Sequence, residues 1–491
     1  MDESKLINLY LRTLEEEQKA YSPREWFKTF LGNKHRFFDG TEKLLELLKG
    51  REIIKSNQTK FNCLRKSLSF LVRFGVELFI IKKNERFDLA NSKILKQVNI
   101  VKTFTFDHSF KTEFFTDNLL GDLHLYLKAE GRNVVLIHEH LGKFSTINSK
   151  HIQNIRLINL FTFLSWADYF SQFFLLFKNL FYSTPRSENS IKNFIRLNFN
   201  EEKISPQYYL HDIHYRSFLG MIQFYDLEKI YSTFENNAWE KMMIFARNDS
   251  QSKAKIISHQ HVPVAPSALN YYLTNSEIQS LPDTIVTTGK VVKDLFLSRH
   301  YPENILKAGC PLRLTLSQYP LPEKENHLAL VALDGTPKAS VVLNTILNNI
   351  DIFKKLKWKF IIRFHPAMGL ELMRPYLCDD LEKYPMFEVS KSPLVEDIKN
   401  SSCVFYWGST VAFEAMYSGR IVVQISGDEI LSNDPITLEG GLHFVAKNLK
   451  ETMDIIKNLS EEDLKQRRLI SSLYCQEYFG ELNASNLKSF N

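Results

Sequence analysis

Between His327 and Ile425 short apolar runs alternate with stretches whose apolar residues recur at helical spacing. HLALVAL ends at Asp334-Gly335-Thr336 and is followed by the helical ASVVLNTILNNIDIFKKL. KWKFIIRF ends at His365-Pro366 and is followed by MGLELMRPYL, and MFEVS comes after Pro385. SPLVEDIKNSS reads as a helix with Ser392 near its start, CVFYW as a strand, TVAFEAMYSG as a helix stopped by Gly419, and IVVQI as one more strand. Apolar strands that alternate with helices must lie parallel and be covered on both faces, which is the plan of a Rossmann-like domain.

The middle of the chain repeats this rhythm less regularly. VNIVKTFTFDHSF, NVVLIHEH, AKIISHQH, PDTIVTTG and NILKAG read as strands; DNLLGDLHLYLKAEG and KVVKDLFLSRHY read as helices. The expected fold is α/β, with two Rossmann-like domains facing across a cleft. The N-terminal domain spans 1–318 with a helical insertion over about 145–200, the C-terminal domain spans 325–450, and helices over 451–491 pack back on the first domain. Pro320, Pro322 and the charged EKEN after them mark the linker. FLVRFGVELFIIKK, within the first 90 residues, is expected to form one or two strands. At 491 residues the chain is long enough for two such cores.

Several function classes are excluded by composition. No two of the 18 glycines are separated by a single residue, which removes a G-x-G-x-x-G dinucleotide loop, and no G-K-[ST] tripeptide offers a Walker loop. A net charge of +6 is spread along the chain rather than gathered into a nucleic-acid-binding tract. The 5 cysteines are widely spaced without a C-x-x-C pair, so a reducing cytosol is the simplest setting, and the charged N-terminus lacks a signal-peptide core. Histidine pairs at 138/140 and 211/214 lack an H-E-x-x-H frame, and no metal site is expected. Residues 157–182 form the most apolar run, but Asp168 and Lys178 interrupt it short of a membrane span. It reads as a Phe-rich core helix, with an aromatic face resting on a membrane surface or a partner as the alternative.

Ligands of open α/β sheets sit beyond the carboxyl ends of the strands, so the strand-end residues carry the functional reading. Arg363 and His365 share one face of a strand end, where Pro366 fixes the exit; a guanidinium and an imidazole there suit a phosphate or carboxylate. Gly408-Ser409-Thr410 opens a helix whose first N–H groups and positive dipole end can receive an anion, and Glu414 one turn on suits a pair of ribose hydroxyls. Asp334-Gly335-Thr336 joins the first strand and helix of the same domain. In the N-terminal half Glu235, His261, Glu240 and Asp107 are the candidates, in that order, for the base that takes a proton from a sugar hydroxyl.

The strand-end R-x-H-P followed about 40 residues later by a G-S-T helix start resembles GT-B glycosyltransferases, especially bacterial sialyl- and Kdo-type enzymes that use CMP-activated acidic sugars. In those enzymes an H-P motif and a Ser/Thr motif bind the nucleotide, which His365-Pro366 and Ser409-Thr410 match. The runs F-E-N-N-A-W-E-K, S-H-Q-H, L-P-D-T-I-V-T-T-G and A-G-C-P-L-R are similar to a family of O-antigen or capsule biosynthesis proteins over roughly 230–430. The resemblance implies transfer of a nonulosonic or Kdo-type acid from a CMP-linked donor to a hydroxyl of a glycan or lipid-linked glycan, without cofactor or metal. It further implies a bacterial cytoplasmic location, at most peripheral on the inner face of the cell membrane. In the sialyltransferase pattern an acidic-acidic-glycine motif in the N-terminal domain carries the base; Leu333-Asp334-Gly335, the similar string here, sits in the C-terminal half. CDP-glycerol-type phosphotransfer, a UDP-sugar donor and a non-catalytic nucleotide-sugar-binding scaffold stay open.

Overall fold

The computed structural model describes residues 2–34, 39–51, 60–84, 95–106, 109, 115, 117–141, 157–185, 187–314, 316–317, 319 and 327–491. Two parallel sheets organise them. The first contains β1 (Val98–Thr105), β2 (Asn133–His140), β3 (Leu157–Asn159), β4 (Leu227–Thr233), β5 (Lys255–His259), β6 (Thr284–Thr287) and β7 (Leu306–Ala308), in the order β3-β2-β1-β4-β5-β6-β7. The second contains β8 (Leu328–Ala332), β9 (Lys359–Arg363), β10 (Phe387–Val389), β11 (Cys403–Tyr406), β12 (Ile421–Ile425) and β13 (His443–Ala446), in the order β10-β9-β8-β11-β12-β13. The chain is thus built from two Rossmann-like α/β domains.

Both sheets grow outward from a central pair of strands. The first runs from β1 to β3 on one side and from β4 to β7 on the other; the second runs from β8 to β10 and from β11 to β13. The order therefore reverses between β1 and β4 and again between β8 and β11, and crevices open at the carboxyl ends of such pairs. Strand sequences explain the burial: in β11 all four residues of CVFY are buried, as a strand covered on both faces requires.

The two domains share apolar core. Phe234, Tyr271 and Phe296 of the first belong to one cluster with Leu330, Phe413 and Ala415 of the second, joined by Cys475, Tyr478 and Phe479 at the end of helix Glu461–Tyr478. The chain end then returns to the first sheet: the Gly480 N–H donates to the Thr288 carbonyl (2.7 Å), and Phe490 is buried against His259. Contacts also cross near the cleft, where the Ser267 hydroxyl donates to Asn433 Oδ1 (2.8 Å).

Two expectations are corrected. FLVRFGVELFIIKK is not strand but lies within one helix, Lys60–Asn84. Its buried residues Cys63, Ser67, Leu71, Phe74 and Leu78 recur every three or four positions, and that helical period outweighs the β-like composition. Residues 157–182 are not one helix: they begin as the edge strand β3, pass through a turn at Leu160–Phe163, and become helical over Trp166–Leu180, capped by Ser165. Strands β4 and β13 were not among the sequence-based expectations. Residues 320–326, with the expected linker prolines, lie outside the described residues, as does the start of the expected insertion.

Candidate functional site

At the β8/β11 reversal the expected nucleotide-binding residues come together on neighbouring strand ends. The Asp334 carboxylate folds the first of these loops by accepting from the Thr336 N–H (2.9 Å) and hydroxyl (2.7 Å). Gly335 is exposed, and a Cβ there would lie 2.9 Å from His365 Nδ1, so glycine lets the imidazole rest against the loop. His365 Nδ1 accepts the Ala367 N–H (3.1 Å), which leaves the ring proton of the neutral form on Nε2 as a donor. Pro366 is exposed beside it.

On β11's side, Gly408 admits Asn433: a Cβ would stand 1.9 Å from Asn433 Nδ2. Ser409 and Thr410 are half-buried, and Ser409 Oγ accepts the Val411 N–H (3.3 Å) at the entry to helix Val411–Tyr417. Glu414 is half-buried on that helix; burial pushes its carboxyl up to about 7, against the pull of the Arg313 and Arg363 cations. Arg363 itself is committed elsewhere. Its Nη1 donates to the buried Asp397 carboxylate (2.9 Å) and the Ser392 carbonyl (2.8 Å), so it supports the strand end and adds field rather than a free fork.

At the β1/β4 reversal, Glu235 follows β4 and His261 follows β5. His261 Nε2 stands 3.2 Å from Glu235 Oε1, and the Asn237 amide donates to Glu235 Oε2 (3.2 Å). The Glu235 side chain keeps 34% of its surface exposed, while His261 is buried. Burial, and then the Arg313 cation, push the imidazole down to about 3, so it is neutral beside the carboxylate. Glu240 is buried as the capping box of helix Ala238–Asp249, accepting the N–H groups of Glu235 (3.0 Å) and Asn237 (2.9 Å). Burial and the neighbouring Glu235 push its carboxyl up to about 8. The cap turns Glu240 to the backbone beneath Glu235. Asp107 lies outside the described residues.

The loop that carries Glu235 rests on buried ions. Asn236 has a left-handed backbone (φ 56°), and its amide donates to the Asn270 carbonyl (2.6 Å) and to Glu277 (3.2 Å). Glu277 is ion-paired with Lys34 and with Lys241 (3.0 Å), and Lys241 also donates to the Asn236 carbonyl (3.0 Å). Opposed to burial, the two ammonium groups hold the Glu277 carboxyl down to about 2.

Arg313 was not among the candidate site residues, although it ends the A-G-C-P-L-R run just past β7. It is exposed and donates to the Asn118 carbonyl (3.2 Å). Its charge acts on His261 and Glu235 of the first domain and on Glu414 of the second. The signal that could have found it is the rule applied to the other residues, a cation directly after a strand end. Among the described residues no group of three or more His, Cys, Asp or Glu side chains is arranged to hold a metal ion.

No family model and no curated protein matches the chain. Solved structures match the chain at low identity. The lipopolysaccharide outer core galactosyltransferase WaaB matches at 11% identity and a TM-score of 0.45, over 80% of this chain and 98% of its own. A glycosyltransferase from Rickettsia africae matches at 12% and 0.44, over 80% and 96%, and S. aureus MnaA in its structure with UDP at 12% and 0.44, over 80% and 94%. No residue role is carried over from likenesses this distant.

Proposed function

We propose that the protein is a metal-independent GT-B glycosyltransferase that moves a sugar from a nucleotide-linked donor onto a hydroxyl of a glycan or lipid-linked glycan. The observation that carries this reading is the arrangement around Arg313. Glu235, with a neutral histidine 3.2 Å from its carboxylate, and Glu414, on the helix that Ser409-Thr410 opens, both feel this one cation, and we read the base and a phosphate-type site of His365, Gly335 and Ser409-Thr410 as facing across one cleft. In the reaction Glu235 takes the acceptor hydroxyl proton as that oxygen bonds to the anomeric carbon. The bond from that carbon to the donor phosphate breaks, and the electron pair leaves with the nucleotide. Negative charge then grows on the phosphate, where the His365 Nε2–H and the helix entry at Ser409-Thr410 stabilise it. Glu414 is assigned to the ribose.

The donor is assigned as a CMP-linked nonulosonic or Kdo-type acid. Arg313 makes no close ion pair among the described residues, and a sugar that carries its own carboxylate would supply one. Thermal-shift measurements with CMP, CDP, UDP and GDP test the assignment. Stabilisation by cytidine nucleotides, followed by release of CMP with a glycosidic product, is the expected result. Stabilisation by UDP alone would move the donor to a UDP-sugar, and a phosphodiester product would make the enzyme a CDP-glycerol-type phosphotransferase. Binding without turnover of any donor would leave a scaffold.

A further inference from the structure

We propose that the outward faces of helices Lys60–Asn84 and Trp166–Leu180 form one surface that seats the protein on an anionic phospholipid bilayer. The inference rests on these two helices and is independent of the reaction assigned above. Phe170, Phe174, Phe177 and Phe181 recur at three- and four-residue steps and all point outward, with Phe174 77% and Phe181 87% exposed. On the neighbouring helix Val76 and Phe79 are about as open, at 60% and 61%. Isolated exposed apolar residues are ordinary, but aromatic residues repeating along one face are not.

The two faces are continuous because the helices lock together at Tyr169. Its hydroxyl donates to the Leu71 carbonyl (2.9 Å), and the missing side chain of Gly75 makes room, since a Cβ there would lie 2.2 Å from the Tyr169 oxygen. Leu71, Phe74 and Leu78 on one helix and Tyr169 and Leu176 on the other are buried beneath the contact, which leaves the phenylalanines no inward role.

Charge selects the occupant. Helix Lys60–Asn84 contains 6 Lys and Arg residues and a single acid, Glu77, which is half-buried. The one acid of the other helix, Asp168, is taken by Arg216 (2.6 Å). Arg65, Lys66, Arg73, Lys83 and Lys178 are exposed among or beside the apolar residues. Apolar side chains flanked by cations suit the boundary between acyl chains and anionic headgroups. A second copy of the chain would bring the same cations against one another. No helix among the described residues is long and apolar enough to cross a membrane, so the contact is peripheral.

Co-sedimentation of the full chain with 1:1 phosphatidylcholine–phosphatidylglycerol vesicles tests this, with pure phosphatidylcholine vesicles as reference. Wild type should partition at least tenfold better to the anionic vesicles, and progressively less as salt is raised. The triple variant Phe170→Ser/Phe174→Ser/Phe181→Ser should lose at least tenfold, with its circular dichroism and melting temperature unchanged. Should that variant fail to fold, Arg65→Glu/Lys66→Glu/Arg73→Glu, which leaves every apolar contact in place, should lose the anionic preference. Absence of wild-type binding, or equal binding by both vesicle types, would overturn the proposal. So would a wild-type dimer, seen by light scattering, that the Phe variant abolishes, since the face would then belong to a second copy.

Discussion

At the β1/β4 reversal the loop of Glu235, the proposed base, rests on buried ions, with a neutral histidine 3.2 Å from its carboxylate, whereas at β8/β11 the residues of the proposed phosphate site are half-buried or exposed and held mostly by backbone. The difference fits the role proposed for each side. A general base has to be held at hydrogen-bond distance, about 2.6–3.2 Å between heavy atoms, from the group whose proton it removes, and a loop with a left-handed asparagine keeps such a position only if it is braced. A phosphate site needs donors that are free until the ligand arrives, and glycines at Gly335 and Gly408 that let its parts close up.

The sharpest way to break this comparison is at Glu235. Glu235→Gln keeps the shape but cannot take a proton, so kcat should fall by about 10²–10⁴-fold while nucleotide-induced stabilisation stays the same. Turnover near wild type would remove Glu235 from the base role and return it to Asp107 or Glu240. Glu277→Ala strikes the brace instead. It leaves Lys34 and Lys241 buried without their carboxylate, which should cost about 3–5 kcal/mol in urea denaturation. Because Asn236 hangs on the same group, kcat should also drop at temperatures where the variant is still folded. A loss in stability with kcat intact would show that the brace does not position Glu235.

On the open side, His365→Ala should lower kcat by about 10²–10³-fold, the usual loss for a donor to developing charge. Its melting temperature should hardly move, since the imidazole is exposed. Equal damage to folding and turnover would contradict the division between the two halves.

The sequence made the open half legible and hid much of the braced one. Gly335, His365 and Ser409 announce themselves because each follows an apolar run that reads directly as a strand, and adjacency in the sheet brings them together. The brace joins Lys34 and Glu277 to the short segment that carries Asn236 and Lys241; these three places are far apart in the chain and follow no local pattern, and only closure of the tertiary fold makes them neighbours. Helix Lys60–Asn84 departs from the expected strand for a different reason. Its Phe, Val and Ile content resembles a strand, partly because the outward face is apolar too, and a helix apolar on both sides shows a weak amphipathic signature.

The smallest expected effect tests the seam between the halves. Glu414 feels burial, which favours its neutral form, and Arg313 and Arg363, which favour the anion; burial prevails and the carboxyl is pushed up to about 7. A folded-state value above the ordinary one of about 4.5 means that the neutral acid stabilises the fold relative to the unfolded chain. That contribution is complete below about pH 4.5 and is lost as pH rises through about 7. Glu414→Gln cannot ionise, so the stability of wild type relative to this variant should decline between pH 5 and 8, followed by urea denaturation. A wild type that gains on the variant over that range would mean that Arg313 and Arg363 outweigh burial. Nucleotide reverses the sense: ribose hydroxyls donate better to the anion, so CMP should bind more tightly as pH rises through the same range in wild type, and with no such step in Glu414→Gln.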